Sequence, residues 1–423
     1  MEVTNCVVVL YLLLLVILPE NHVGTSKLAP ATRPLSYALP EARELKMALG
    51  YAEDIYLNFT ELTTKNGYQT EEHKITTDDG YILKCFRILP KCTENLKRYP
   101  ILLMHGILDT SDVWILAGEK LGLGYILASN CYDVWAVNSR GNRYSRKHIT
   151  LNPDKDIAFW NYSFDEIGMF DVPAAIDYIL KVTNRPRVFY AGHSQGTTDF
   201  FAMASLRPEY NQKVQLSLQL APVAWMTNIY SPILRALAQN VDFLKEVLDA
   251  VGLVELLAKH QLEHLVLEVL CQAAPEPTCG AALALSTGYE QGTIDAKVLS
   301  ISFGHLLSGS SSKSLAHYGQ LIISRKFKRF DEGKDGNLKR YKQTQPPEYN
   351  VSNITSPVVL ISGKNDWLSS LKDVATLSSK LPNLVENYVV PEPKWSHHNH
   401  IWDVRTLKYV VPKILDYLEQ YNT

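Results

Sequence analysis

Five residues, Gly192-His193-Ser194-Gln195-Gly196, constrain this chain more than any other stretch. They spell G-x-S-x-G. Upstream lies an apolar, β-favouring run, Val188-Phe189-Tyr190-Ala191, and downstream Thr197 to Leu206 reads as a helix. A strand, a sharp turn and a helix in that order hold the serine in a strained backbone conformation and lift its hydroxyl off a sheet. Side chains two residues either side of the serine would collide, so Gly192 and Gly196 meet the need for a residue without Cβ. The pattern alone could arise by chance in any glycine-containing turn. The flanks make Ser194 a candidate nucleophile, with His193 as the variable residue before it.

A serine nucleophile needs a base, and the base needs an orienting carboxylate. After an elbow of this kind the chain order is serine, then Asp or Glu, then His. Pro357 to Gly363 is a short continuous apolar run, suited to a buried parallel strand. Asp366 follows within three residues, at that strand's carboxyl end, where open α/β sheets place their sites. A turn-capping aspartate would suit Lys364-Asn365-Asp366 almost as well. Val385 to Val390 reads as a further strand, followed by His397, His398 and His400. Such a cluster could hold a metal, but neither paired cysteines nor HExxH accompanies it, so no metal site is assigned. One oxyanion donor is expected from the backbone N–H of Gln195. Another comes from the loop after an earlier strand: Ile101 to Met104 is apolar and runs into His105-Gly106-Ile107, which makes Ile107 the second candidate. His105 precedes the serine, the wrong order for the base, and reads as structural.

The remaining pattern is one of alternating strands and helices. Lys74 to Ile88 reads as a hairpin around Asp78-Asp79-Gly80. Strands follow near 101, 134, 188, 216, 358 and 386, with helices between them, such as Asp171 to Val182. This alternation implies an α/β fold with a mostly parallel central sheet covered by helices on both faces. The rhythm breaks from about 226 to 345. That stretch is rich in apolar helical segments, including Phe243 to Leu257 and Leu262 to Leu270, and reads as an insertion. A chain of 423 residues, 46% hydrophobic and 20% charged, can bury a large core. Its 44 acidic and 42 basic residues nearly cancel, so nothing points to nucleic acid.

Taken together, these motifs resemble the acid lipase family, which includes gastric and lysosomal acid lipases and secreted insect lipases. The likeness covers roughly residues 65 to 423. It rests on Asp79-Gly80-Tyr81-Ile82-Leu83, His105-Gly106-Ile107, Tyr132-Asp133-Val134-Trp135, Asn138-Ser139-Arg140-Gly141-Asn142, and Gly192 to Thr198. Gln345-Pro346-Pro347, Gly363 to Asp366 and Leu381-Pro382-Asn383-Leu384 extend it. The resemblance implies an α/β-hydrolase fold with an inserted, mainly helical cap. It implies Ser194, Asp366 and His397 as a catalytic triad, Ile107 and Gln195 as oxyanion donors, and no cofactor. His397 is preferred over His398 and His400 because it lies five residues before Trp402, the family's spacing. The family commonly carries Asn-His-x-Asp-Phe-x-Trp there, whereas this chain has Ser396-His397-His398-Asn399-His400-Ile401-Trp402. The implied division is a core at 66–225 and 346–423 with a cap at 226–345. The implied activity is hydrolysis of neutral lipid esters, triacylglycerol foremost, at a lipid–water interface. A steryl ester hydrolase, a carboxylesterase and a non-catalytic lipid carrier are the alternatives.

Val7 to Leu18 is a twelve-residue apolar block, too short to span a bilayer and suited to a signal-peptide core. Residues 1–24 are therefore expected to be a signal peptide and 25–65 a lead-in segment. This predicts a secreted protein, with the lysosome as second choice and no transmembrane segment in the mature chain. Four sequons, at Asn58, Asn161, Asn350 and Asn353, are candidate glycosylation sites. The last two are close enough to compete, and Asn161, amid aromatics, is expected to be buried. Cys271 and Cys279 close a short loop and match the family's cap disulfide. Cys85 and Cys92 are expected to pair, leaving Cys131 as the odd thiol.

Overall fold

A computed structural model describes residues 52–92, 98–241, 245, 254–256 and 270–422. The expected signal peptide and most of the lead-in lie outside the described residues, as do most of the two apolar segments proposed for the insertion. Among the described residues, no helix is long and apolar enough to cross a membrane.

Eight strands form one sheet. In chain order they are β1 (Thr70–Thr76), β2 (Ile82–Ile88), β3 (Ile101–Met104), β4 (Val134–Val137), β5 (Val188–His193), β6 (Val214–Leu220), β9 (Val358–Ser362) and β10 (Leu384–Val389). Between β6 and β9 the chain adds a two-stranded ribbon, β7 (Glu255–Leu256) against β8 (Ser310–Ser311). The spatial order is β1-β2-β4-β3-β5-β6-β9-β10. The hairpin β1–β2 and the pair β2–β4 are antiparallel, and every later pair is parallel. The expected mostly parallel sheet is therefore present, with each strand close to its expected position.

The central strands β3, β4, β5, β6 and β9 are buried along their whole length, as a sheet covered on both faces requires. Their side chains feed two cores. Leu103, Ala136, Phe189 and Leu218 point to one; Leu102, Trp135, Tyr190 and Leu360 point to the other. Helices Val172–Thr183 and Gln195–Leu206 cover the second face. Helix Phe59–Lys65 begins with a capping box: Asn58 Oδ1 accepts the N–H of Glu61, and Glu61 accepts the N–H of Asn58.

Three expectations need correction. Cys85 does not pair with Cys92. It sits mid-strand in β2, fully buried, and is a free thiol, while Cys92 is bonded to Cys131. The backbone explains this: Lys91 N–H donates to the carbonyl of Ala128, which brings the end of the hairpin against the turn after helix Leu123–Ser129. The two Cα atoms are 5.4 Å apart, within normal bridging reach. Asn161 is exposed although its neighbours Trp160 and Tyr162 are buried, and its Oδ1 accepts from Lys313 Nζ at 2.9 Å. Glu255 and Leu256, expected in a helix, form a strand because Ser310–Ser311 offers them an edge. The Cys271–Cys279 disulfide is present.

Candidate active site

Ser194 connects β5 to helix Gln195–Leu206 with φ 54° and ψ −116°, a conformation that costs energy for any residue with a Cβ. The surroundings impose it. Ser194 N–H donates to Leu220 O on the neighbouring strand, and Ser194 O accepts from both the N–H and the hydroxyl of Thr197. The flanking glycines are required. A Cβ on Gly192 would lie 2.7 Å from the carbonyl of Gly196, and one on Gly196 would lie 2.3 Å from Met104 O.

The candidate acid and base reach the same edge of the sheet from two further strands. Asp366 follows β9 and His397 follows β10. His397 Nδ1 is 2.8 Å from Asp366 Oδ2 and 3.0 Å from Oδ1. Oδ1 also accepts the N–H groups of Leu368 and Ser369, at 2.9 and 2.8 Å. Burial alone would raise the Asp366 carboxyl. The charge of His397 and these hydrogen bonds outweigh it and hold the group below its ordinary range. His397 Nε2 is buried without a protein partner, free to face a substrate-side proton.

The other two histidines of the cluster are placed differently. His398 stacks on Trp402 at 4.9 Å, and His400 meets Trp395 edge-on at 5.7 Å. Burial drives the His400 pKa down to about 3 and that of His398 well below its usual value, so both stay neutral beside His397. Among the described residues, no group of three or more His, Cys, Asp or Glu side chains could hold a metal.

His105 is buried and fully engaged. Its Nδ1 donates to Gly106 O at 2.7 Å, and its Nε2 accepts from Ser139 N–H at 3.1 Å and from Asn142 Nδ2 at 3.1 Å. Burial lowers its pKa to about 4, which keeps Nε2 an acceptor. Tying down Gly106 O turns the N–H of the same trans peptide, that of Ile107, the opposite way. Gly106 itself passes close to the serine: a Cβ there would sit 3.3 Å from Ser194 Cβ and 3.7 Å from Oγ.

The stretch of chain between β6 and β9 bonds to both loops. Ser308 N–H donates to Leu108 O, and Arg143 N–H donates to Ser308 O, each at 2.9 Å. On the acid side, Asn365 Nδ2 donates to Gly288 O at 2.6 Å and Trp367 N–H donates to Thr287 O at 3.2 Å. Sequence reasoning missed these contacts, since nothing in residues 287–288 or 308 marks them as partners of loops so far away in the chain. The departure from the motif at Asn399 is visible in the sequence but its contact is not: Oδ1 accepts Ser396 N–H at 2.8 Å and so shapes the turn that carries His397.

A strained serine elbow on a mostly parallel sheet, with an Asp–His pair beyond the carboxyl ends of two later strands, defines an α/β-hydrolase. A family model for a partial alpha/beta-hydrolase lipase region matches residues 59–118, and one for the alpha/beta hydrolase fold matches residues 99–226. Lipase 3 of Drosophila melanogaster is 38% identical over 84% of this chain and 91% of its own. Human lysosomal acid lipase/cholesteryl ester hydrolase is 33% identical over 86% and 92%, and mouse gastric triacylglycerol lipase 34% identical over 82% and 87%. Among solved structures, a putative lipase from Acinetobacter baumannii superposes with a TM-score of 0.51 at 14% identity, covering 86% of this chain and 94% of that one, a likeness of fold alone. The chain belongs to the acid lipase family and is a carboxylic ester hydrolase.

Proposed function

We propose that this protein is a secreted serine lipase that cleaves neutral lipid esters, triacylglycerols first, through Ser194, Asp366 and His397. The observation that carries the reading is the buried pair of His397 Nδ1 and Asp366 Oδ2 at 2.8 Å, with Nε2 buried and unpartnered. His397 takes the proton of Ser194 Oγ as the oxygen attacks the ester carbonyl, and Asp366 holds the tautomer and stabilises the imidazolium. The N–H groups of Ile107 and Gln195 receive the oxyanion; losing one such donor typically costs about 3–4 kcal/mol. His397 then protonates the departing alcohol. Water attacks the acyl-enzyme by the same route, and a fatty acid leaves. Neither cofactor nor metal enters these steps.

Residues 226–345 act as the cap. Their grip on both the oxyanion loop and the Asp366 loop supports this division, and such an insertion governs access at a lipid surface. Two disulfides favour an oxidising compartment, hence secretion, with the lysosome as second choice. Asn58, Asn350 and Asn161 are exposed and are the proposed glycan carriers. Asn353 is the weaker acceptor, because its Nδ2 donates into the core to Ser205 O at 3.1 Å. The test is purified protein against emulsions of triacylglycerol and cholesteryl ester and against soluble short-chain esters. Faster turnover on emulsified triacylglycerol is expected. A strict preference for soluble esters would move the assignment to carboxylesterase, and preference for the sterol ester to steryl ester hydrolase.

A further inference from the structure

His193, the residue before the nucleophile, is buried and spans the gap between the serine elbow and the histidine loop. Its Nε2 lies 3.0 Å from the backbone carbonyl of His397, and the two rings are 5.1 Å apart. A carbonyl can only accept, so His193 carries its proton on Nε2 and donates it. The opposite nitrogen, Nδ1, has no protein partner. Burial, reinforced by the charges of His397 and His398, pushes its pKa well below the ordinary value. It therefore adds no positive charge beside the imidazolium that forms on His397. The loop from 390 to 398 is irregular, and the His193 bond ties its backbone at His397 to the residue before the serine. Asp366 holds the ring from the acid side only.

We infer that His193 is a positioning residue: its Nε2–H bond to His397 O sets the approach of the His397 ring to Ser194 without touching substrate. The inference rests on the Ser194–Asp366–His397 reading. A shift of about 1 Å in a reacting group can cost about 10²-fold in rate. The test compares His193→Leu, which removes the donor, with His193→Gln, whose amide nitrogen lies the same number of bonds from Cβ as Nε2. His193→Leu should lower kcat by roughly 10- to 100-fold with KM unchanged. His193→Gln should recover most of that loss. If His193→Leu does not fold, His193→Met replaces it in the comparison. Full kcat in the donor-free variant overturns the inference, and so do equal losses in the donor-free and glutamine variants, which would assign the effect to packing. Ser194→Ala measured alongside separates the two claims. If it stays active, the triad falls; if it is inactive while His193→Leu is fully active, only the role of His193 falls.

Discussion

Asn399 Nδ2 donates to Asp403 Oδ2 at 2.6 Å, while Asn399 Oδ1 accepts the N–H of Ser396, the residue before His397. The relatives' motif commonly has an aspartate where Asn399 stands. With Asp403 fixed opposite, an amide is the group that can satisfy both neighbours, since it accepts on one side and donates on the other. A carboxylate there would face Asp403 oxygen to oxygen.

Asn399→Asp should therefore destabilise the protein by about 1–3 kcal/mol at pH 7, the scale of a buried polar group left without its partner. Two adjacent carboxylates cannot both ionise freely, so one pKa is raised in the folded state. Raised above its unfolded value, that group favours folding at low pH and loses the advantage as pH rises. Urea unfolding should accordingly show a smaller deficit at pH 5 than at pH 7. An unchanged midpoint at pH 7 would remove this account of Asn399, and the double variant with Asp403→Asn should recover part of the loss.

His400 occupies the motif's phenylalanine position, and it does so poorly. Both ring nitrogens are buried without a protein partner. His400→Phe should stabilise the protein by about 2 kcal/mol, since each unpaired buried polar group costs about 1–3 kcal/mol. Its folded pKa of about 3 lies below the unfolded value of about 6.5. Between those values the unfolded chain binds more protons, so His400 costs stability increasingly as pH falls from about 6.5 towards 3. The gain from phenylalanine should be larger at pH 4.5 than at pH 7.5, by thermal unfolding at both. A gain that does not grow on acidification would contradict the buried neutral imidazole.

Asp109 has the opposite sign. Burial pushes its carboxyl up to about 8, against the help of the Thr110 N–H. The folded protein therefore holds a proton that the unfolded chain releases above about pH 4. Stability falls as pH rises through that window, by up to about 1.4 kcal/mol per unit for this one group. Asp109→Asn should flatten the slope between pH 5 and 8 and raise the melting temperature at pH 8. Equal melting temperatures at pH 8 would show that Asp109 ionises without penalty.

How much of this was legible depended on range along the chain. The strands were, because β5 and β9 are uninterrupted apolar runs that two-sided burial demands. The sharp turn at Ser194 was, because glycines at 192 and 196 are a local necessity. The pairing of Cys92 was not. Proximity in sequence favoured Cys85, but the pleat of β2 turns Cys85 into the core, and the true partner is brought by the Lys91–Ala128 backbone bond. The tie from His193 to His397 was equally invisible, since it joins residues 204 apart through a main-chain carbonyl.

The two disulfides should differ in weight. Cys92–Cys131 closes a separation of 39 residues and Cys271–Cys279 one of 8. Loop-closure entropy gives about 4 kcal/mol for the first and about 2.5 kcal/mol for the second. Paired Cys→Ser variants should lose stability in that order in urea, and Cys85 should resist alkylation until the protein unfolds. A larger loss from the short loop would show that native-state packing, not chain entropy, dominates.

Asp366→Asn tests the triad through its tautomer. In the wild type, Oδ1 is committed to the N–H groups of Leu368 and Ser369, and Oδ2 is the atom closest to His397 Nδ1. An asparagine must keep its oxygen towards the two backbone donors. Its Nδ2–H then faces His397 Nδ1, which has to become the acceptor, so the ring proton moves to Nε2. A protonated Nε2 cannot take the proton of Ser194. The loss in kcat should be about 10⁴-fold, the scale seen when a triad aspartate is replaced by its amide. KM should change little, because the side chain is buried behind the ring, and the melting temperature should stay near wild type because the fold keeps its two backbone hydrogen bonds. A kcat within about tenfold of wild type would remove Asp366 from the triad.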